Sequence, residues 1–71
     1  MKTFDDVKII DAVVSGGGNR YSAERAIIRG NNLGIAQTDA AVRGLMQQGM
    51  TATDAITLIK RQIAKKAWRN R

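Results

Sequence analysis

Residues 51–68 have the sequence TATDAITLIKRQIAKKAW, and this stretch decides the fold. Thr51, with Asp54 three residues later, resembles a capping box with Asp in place of Glu, which predicts a helix from about residue 52 to about residue 68. Apolar residues recur at three- and four-residue steps, so a stripe about 120° wide should face the core. The stripe consists of Ala52, Ala55, Ile56, Ile59, Ile63 and Ala67.

The N-terminal segment predicts a first helix over about residues 4–15. Thr3 can cap it, and the carboxylates of Asp5 and Asp6 suit the positive end of a helix dipole. The run from Gly16 to Asn19 ends the pattern, because Gly and Asn adopt positive φ cheaply. A phosphate-binding loop would need P-loop spacing, and none accompanies these glycines.

The middle of the chain predicts two shorter helices. Ser22 is the expected N-cap of a second helix over about residues 23–29, which Gly30 and the two following asparagines interrupt. A third helix is expected to start at Thr38 and to stop at Gly49.

The predicted inward side chains of this middle region are aliphatic. The linker between the second and third helices, Leu33-Gly34-Ile35, is expected to anchor itself in the core through its two aliphatic side chains. In the third helix the residues expected to face inward are Val42, Leu45 and Met46.

A shift of 29 residues superposes residues 22–27 on residues 51–56, and Ala12-Val13 on Ala41-Val42. Either a duplication or a coincidence between two ordinary helical hairpins explains this similarity. Both explanations predict the same fold class, which is all-α. We expect one small four-helix domain spanning residues 1–71, built as two hairpins, with a long C-terminal helix whose basic arm, residues 60–71, projects from it.

Composition argues against several classes of site. The 71-residue chain has no Cys and no His, which rules out disulfides, thiolate zinc sites and an imidazole general base. Its six carboxylates mostly fall at predicted helix starts, where capping explains them. We therefore expect a protein that is not an enzyme, with no cofactor, no catalytic residues and no metal site.

The longest apolar run is Ala12-Val13-Val14, far shorter than the roughly 20 residues of a spanning helix. The N-terminus carries acids where a secretion signal would be apolar. These features predict a soluble, cytoplasmic protein. A membrane-surface helix is the weakest alternative, because the apolar stripe of the last helix is needed for the core.

The net charge of +6 is concentrated at the C-terminus. Residues 60–71 contain six of the twelve basic side chains and no acid, so residues 1–59 carry six bases and six acids. Cations favour a helix C-terminus, but dipole complementarity falls off within one turn. Six mutually repelling cations over three turns favour an external anion.

The outer side of the last helix is the predicted site of that contact. Arg61, Lys65 and Arg69 follow one another at four-residue steps, and Lys60 and Lys66 are expected on their flanks. An ideal helix places Trp68 about 160° from the centre of the apolar stripe, where its indole could stack on a base or contact sugars. Alternatively, Trp68 caps the core from below.

Nucleic acid is the first expected partner, DNA ahead of RNA, bound without catalysis by a small regulatory or accessory factor. Arg25, Arg29 and Arg43 extend the expected patch, and a homodimer would double it. The alternative is a protein-interaction module or adaptor that docks on an acidic partner surface. The expected nucleic-acid contacts are Lys60, Arg61, Lys65, Lys66, Trp68, Arg69 and Arg71.

Two motif resemblances lie in the second hairpin. Residues 45–59 resemble a helix-turn-helix, which implies base contacts around the start of the last helix from Gln47, Gln48, Thr51, Thr53, Asp54, Thr57 and Gln62. Residues 45–56 also look like the loop of ubiquitin-associated-type helical modules. That similarity implies a three-helix protein-binding module with a Met and Leu surface.

Overall fold

The computed structural model describes residues 3–69, with side chains through residue 66. It contains four helices within that range: α1 (Phe4–Ser15), α2 (Arg20–Arg29), α3 (Ile35–Gln47) and α4 (Ala52–Arg69). No strand occurs in the described part. The all-α prediction, with two hairpins and a long C-terminal helix, is confirmed.

The start of α1 follows its local sequence. Thr3 Oγ1 accepts a hydrogen bond from the Asp6 amide at 3.2 Å, and Asp6 Oδ2 accepts one from the Thr3 amide at 3.0 Å. This reciprocal pair is a capping box, which satisfies two amides at the start of the helix. The predicted bounds of this helix, 4–15, are confirmed.

The start of α2 differs from the prediction. Asn19, and not Ser22, is the N-cap, and its Oδ1 accepts a hydrogen bond from the Ser22 amide at 2.9 Å. Gln37 of α3 accepts from the Asn19 amide at 3.0 Å. A contact between residues 18 positions apart therefore helps to fix where this helix begins.

The third helix begins at Ile35, three residues before the expected start, after Gly34 in a positive-φ conformation (φ 86°). Leu33 is buried as expected, but Ile35 is 86% exposed, so the linker anchors itself through one aliphatic side chain only. On the inner face of α3, Leu45 is buried, whereas Met46 is 48% exposed. The prediction that Ile35 and Met46 face the core is wrong.

The core is built around a close approach of α1 and α3. A Cβ atom on Gly44 would overlap the backbone carbonyl of Ala12, and one on Gly16 would overlap the carbonyl of Ala40. Small residues therefore let the two backbones touch at both positions. Around this contact lie the larger buried side chains, which include Ile9, Ile10, Val13, Ile27, Leu45, Leu58 and Ile59.

The last helix begins as predicted, with Thr51 Oγ1 accepting from the Asp54 amide at 3.1 Å. Its buried face is different, because it includes Leu58 and Gln62, whereas Ile56 is 39% exposed. At about 100° per residue, this face is rotated by roughly 60° from the predicted stripe. Ala52, another predicted stripe residue, is also exposed.

The expected projection of the C-terminal half of α4 is also wrong as far as residue 66. Gln62 is 2% exposed, and the Lys66 side chain is 13% exposed. Both contact Asp6 at the start of α1. The helix is therefore packed along the domain over this length.

The two hairpins correspond at an offset of 32 residues rather than 29. Asn19 and Thr51 cap the second helix of each hairpin, and Gly17 and Gly49 supply positive φ in each turn (92° and 101°). The 29-residue alignment is wrong because it matched Ser22, which is not the cap, with Thr51.

Candidate functional site

Three of the predicted contact residues form an exposed cationic group on α4: Lys60, Arg61 and Lys65. Arg61 and Lys65 are one turn apart, so their side chains leave the helix on the same side. None of Lys60, Arg61 and Lys65 makes an ion pair with another side chain that the structure describes. We call Lys60, Arg61 and Lys65 the α4 cations.

The remaining predicted contacts of the tail lie outside the described side chains. Trp68 and Arg69 belong to the last turn of α4, but only their backbone is described, and Arg71 lies beyond the described residues. Their expected roles, and the alternative that Trp68 caps the core, stay predictions.

Lys66 has a different environment from the one expected for a phosphate contact. Its Nζ lies 3.2 Å from Oδ2 of Asp6, and its side chain is 13% exposed. Lys66 lies one turn after Gln62 on α4. Because α4 is rotated from the predicted orientation, both residues are on the side that packs against α1. Its ammonium is therefore held in an internal ion pair and is not one of the α4 cations.

Asp6 is the centre of a buried polar cluster. Gln62 Nε2 donates to Asp6 Oδ1 at 3.2 Å and to Thr3 Oγ1 at 3.3 Å. Burial by itself raises the pKa of Asp6, but the Thr3 amide, the Lys66 ammonium and the Gln62 amide outweigh burial and hold that pKa below its ordinary value of 3.8. The carboxylate is therefore ionised at neutral pH.

This cluster determines which way the α4 cations point. Gln62 and Lys66 are drawn toward Asp6, and Arg61 and Lys65 each precede one of them by a single residue. One residue corresponds to about 100° of rotation, which carries both basic side chains out of the packed face. Gln62, expected to contact bases, is instead an internal hydrogen-bond donor. Its Oε1 is buried without a hydrogen-bond partner among the described residues.

The other basic side chains make different kinds of contact within the protein. Arg43 Nη2 donates to the Gly16 carbonyl at 3.0 Å, which links α3 to the end of α1. Arg20 forms an exposed ion pair with Asp11 at 3.3 Å. Arg25 lies 5.6 Å from the centroid of the Tyr21 ring, a cation–π distance. Of the three arginines expected to extend the nucleic-acid patch, Arg43 therefore has its guanidinium bound to the end of α1.

Acidic groups are near one end of the α4 cations. A shallow depression of about 360 Å³ is lined by Asp5, Lys8, Asp54 and Arg61, among others. Lys65 lies one turn further toward the C-terminus and does not line it. The positive potential should therefore increase along α4 toward the tail.

An apolar cleft lies on another side of α4, between this helix and the start of α3. It has a volume of about 430 Å³ and is bordered by Asp39 of α3 and Lys60 of α4. Its apolar lining consists of Leu33, Ile35, Ile56, Ile59 and Ile63. The sequence pattern does not reveal this cleft, because it predicts that Ile35, Ile56 and Ile63 lie in the core, whereas all three line the cleft.

Two other kinds of feature are absent from the described residues, a metal-binding group and a membrane-spanning helix. No group of three or more acidic side chains there is arranged to hold a metal ion. None of the helices in that part combines the length and apolarity needed to cross a bilayer. Comparison of the chain with protein-family models, curated proteins and solved structures finds no match.

Proposed function

We propose that this protein binds nucleic acid without catalysis, DNA ahead of RNA, through the outer face of α4. The observation that carries the proposal is the state of the α4 cations, which are exposed and without ion-pair partners among the described side chains. Repelling cations on a helix lower its stability unless an external anion approaches them. A phosphate backbone supplies closely spaced anions of this kind.

The anchoring of α4 supports the same function. Arg61 and Lys65 project from a helix that the buried cluster of Asp6, Gln62 and Lys66 holds against α1. The backbone positions of the two residues are therefore set before binding, and only their side chains lose freedom on association. In this proposal Arg69, Arg71 and Trp68 continue the contact beyond the described side chains.

Binding of this kind should depend weakly on sequence and strongly on salt. Each phosphate neutralised on duplex DNA contributes about −0.9 to the slope of log K against log salt, so the α4 cations contribute about −2.7. With Arg69 and Arg71 the slope becomes about −4.5. Of the seven side chains expected to reach base edges, Gln62 is buried and takes no part, whereas the other six are exposed.

The test is a titration of a fluorescent 20-mer as duplex DNA, single-stranded DNA and RNA, with anisotropy recorded from 50 to 200 mM salt. The variant Arg61→Ala/Lys65→Ala should bind more weakly and reduce the slope for duplex by about 1.8 units, whatever the tail contributes. The control is Arg20→Ala on α2, a basic residue outside the expected patch, compared with the single variant Arg61→Ala. Equal effects of these two single variants, or no binding by the unaltered protein at low salt, would contradict the proposal.

The second candidate function is an adaptor that docks on an acidic protein surface. The observation favouring it is the apolar cleft beside Lys60, because protein interfaces combine an apolar centre with a charged rim. A synthetic acidic peptide that displaces duplex DNA at equal charge concentration, with little dependence on salt, would favour the adaptor.

A further inference from the structure

The apolar cleft between α3 and α4 has exposed walls. Ile35 is 86% exposed and Ile56 is 39% exposed, while Ile63 is partly buried. On α4, Ile56 and Ile63 remain at this open surface because the apolar arc of the helix is wider than the other three helices cover. Leu58 and Ile59 of α4 reach the core, and Ile59 also lines the cleft beside Ile56 and Ile63.

The charges at the rim are of opposite sign and lie on opposite walls. Asp39 is exposed on α3, and Lys60 is exposed on α4. They form no ion pair with each other. With a two-fold axis along the cleft, each wall meets the opposite wall of the second molecule and both carboxylates face an ammonium, whereas an axis across the cleft would bring like charges together.

The cleft can also accommodate the side chain that stands at its own edge, Ile35. Ile35 stands at the start of α3 as an apolar projection beside a cleft of about 430 Å³, which is large enough for an aliphatic side chain. We infer that the occupant of the cleft is a second copy of this chain. Each Ile35 inserts into the cleft of the other molecule, and two Asp39–Lys60 pairs flank the contact.

This contact shares one residue with the proposed nucleic-acid surface. Lys60 faces the second molecule and is withdrawn from phosphate, while Arg61 and Lys65 remain on the outer side of α4, so in the dimer the described side chains contribute about −1.8 per subunit to the salt slope. A dimer would present two such outer faces to one polyanion. Because the dimer forms without nucleic acid, its failure and the failure of the proposed function are separate results.

Sedimentation equilibrium from about 5 µM to about 1 mM, without nucleic acid, tests the dimer. We expect the mass to rise from 7.7 kDa toward twice that value, with a dissociation constant of about 10–100 µM for a small interface. Ile35→Asp should weaken the dimer by about tenfold or more. Phe4→Asp, at an 83% exposed position on α1 outside the cleft, is the matched control and should leave the dimer intact.

A charge exchange shows whether the contact is intermolecular. Asp39→Lys and Lys60→Asp should each be monomeric alone, because like charges then face each other at both rims. An equimolar mixture of the two variants should form a heterodimer, since every rim pair is again of opposite sign. Each variant is first checked for helicity by circular dichroism.

Four results would overturn the inference. The first is a wild-type protein that stays at the monomer mass at about 1 mM. The second is equal weakening by Phe4→Asp and Ile35→Asp. The third is a wild-type dimer whose two charge variants fail to associate when mixed. A monomer that instead binds an apolar peptide in the cleft would identify a different occupant and also overturn it.

Discussion

Lys66 Nζ lies 3.2 Å from Oδ2 of Asp6, so an ion pair with a buried carboxylate joins the first turn of α1 to the C-terminal part of α4. Gln62, one turn earlier on α4, binds the same carboxylate through its Nε2. The contact brings together residues 60 positions apart and fixes the rotation of the helix that carries Arg61 and Lys65. Stability and the proposed function are therefore linked through one carboxylate.

Replacing Asp6 by Asn should lower the free energy of unfolding by about 3 kcal/mol, because Lys66 loses its counter-charge in a largely buried setting. Urea denaturation followed by circular dichroism measures the change. The matched control is Asp11→Asn, which breaks the exposed pair with Arg20 and should change stability by less than about 1 kcal/mol. Equal losses in the two variants would show that Asp6 contributes no more to the free energy of unfolding than the exposed Asp11 does.

The stability difference between wild type and Asp6→Asn should depend on pH. The pKa of Asp6 is lowered in the folded state, so its contribution is complete above the unfolded value near 3.8 and is lost as the pH falls through the folded value. Urea midpoints for both proteins between pH 7 and pH 2 should thus converge below about pH 3.8. A difference that stays constant down to pH 2 would contradict the ionised pair.

Gly44→Ala should destabilise the protein although Ala is the better helix former by about 1 kcal/mol. A Cβ there would overlap the Ala12 carbonyl, and the two backbones must separate. We expect a loss of about 3 kcal/mol in urea denaturation. Gln47→Ala, at an exposed position of the same helix, should stay within about 0.5 kcal/mol of wild type.

The rotation of α4 can be tested by comparing two isoleucines. Ile59 is 3% exposed and Ile56 is 39% exposed. Ile59→Ala should lower the free energy of unfolding by about 2–5 kcal/mol, and Ile56→Ala by less than about 1.5 kcal/mol at concentrations where the protein is monomeric. The reverse order would mean that the stripe expected from sequence is the buried one.

Trp68 is the only tryptophan, so its fluorescence reports on the end of α4. If it stacks on bases as expected, single-stranded DNA at low salt should quench it, with a larger effect than iodide alone at the same ionic strength. Trp68→Phe should retain most of the affinity, whereas Trp68→Ala should lose about 1–3 kcal/mol of binding energy. Quenching by iodide with no response to nucleic acid would remove Trp68 from the interface.

The sequence by itself determined the number of helices, both bounds of α1 and the start of α4. These features depend on short-range chemistry: Thr3 and Thr51 each cap a helix whose first turn contains an aspartate, and glycines occupy the turns. The sequence also shows that the net charge is at the C-terminus. It predicts that Arg61 and Lys65 are exposed, because helical spacing alone separates these two residues from the apolar residues of α4.

Tertiary contacts decided the rest. Asn19 and Ser22 are both competent caps, and a hydrogen bond with Gln37 of α3 supports Asn19. The apolar arc of α4 is wide enough for two orientations, and periodicity does not distinguish them. Binding of Gln62 and Lys66 to Asp6 selects one orientation, and this choice places Lys66 inside and leaves Ile56 facing the cleft. A helix's own residues encode its capping and periodicity, but the face it buries depends on partners that are distant in the chain.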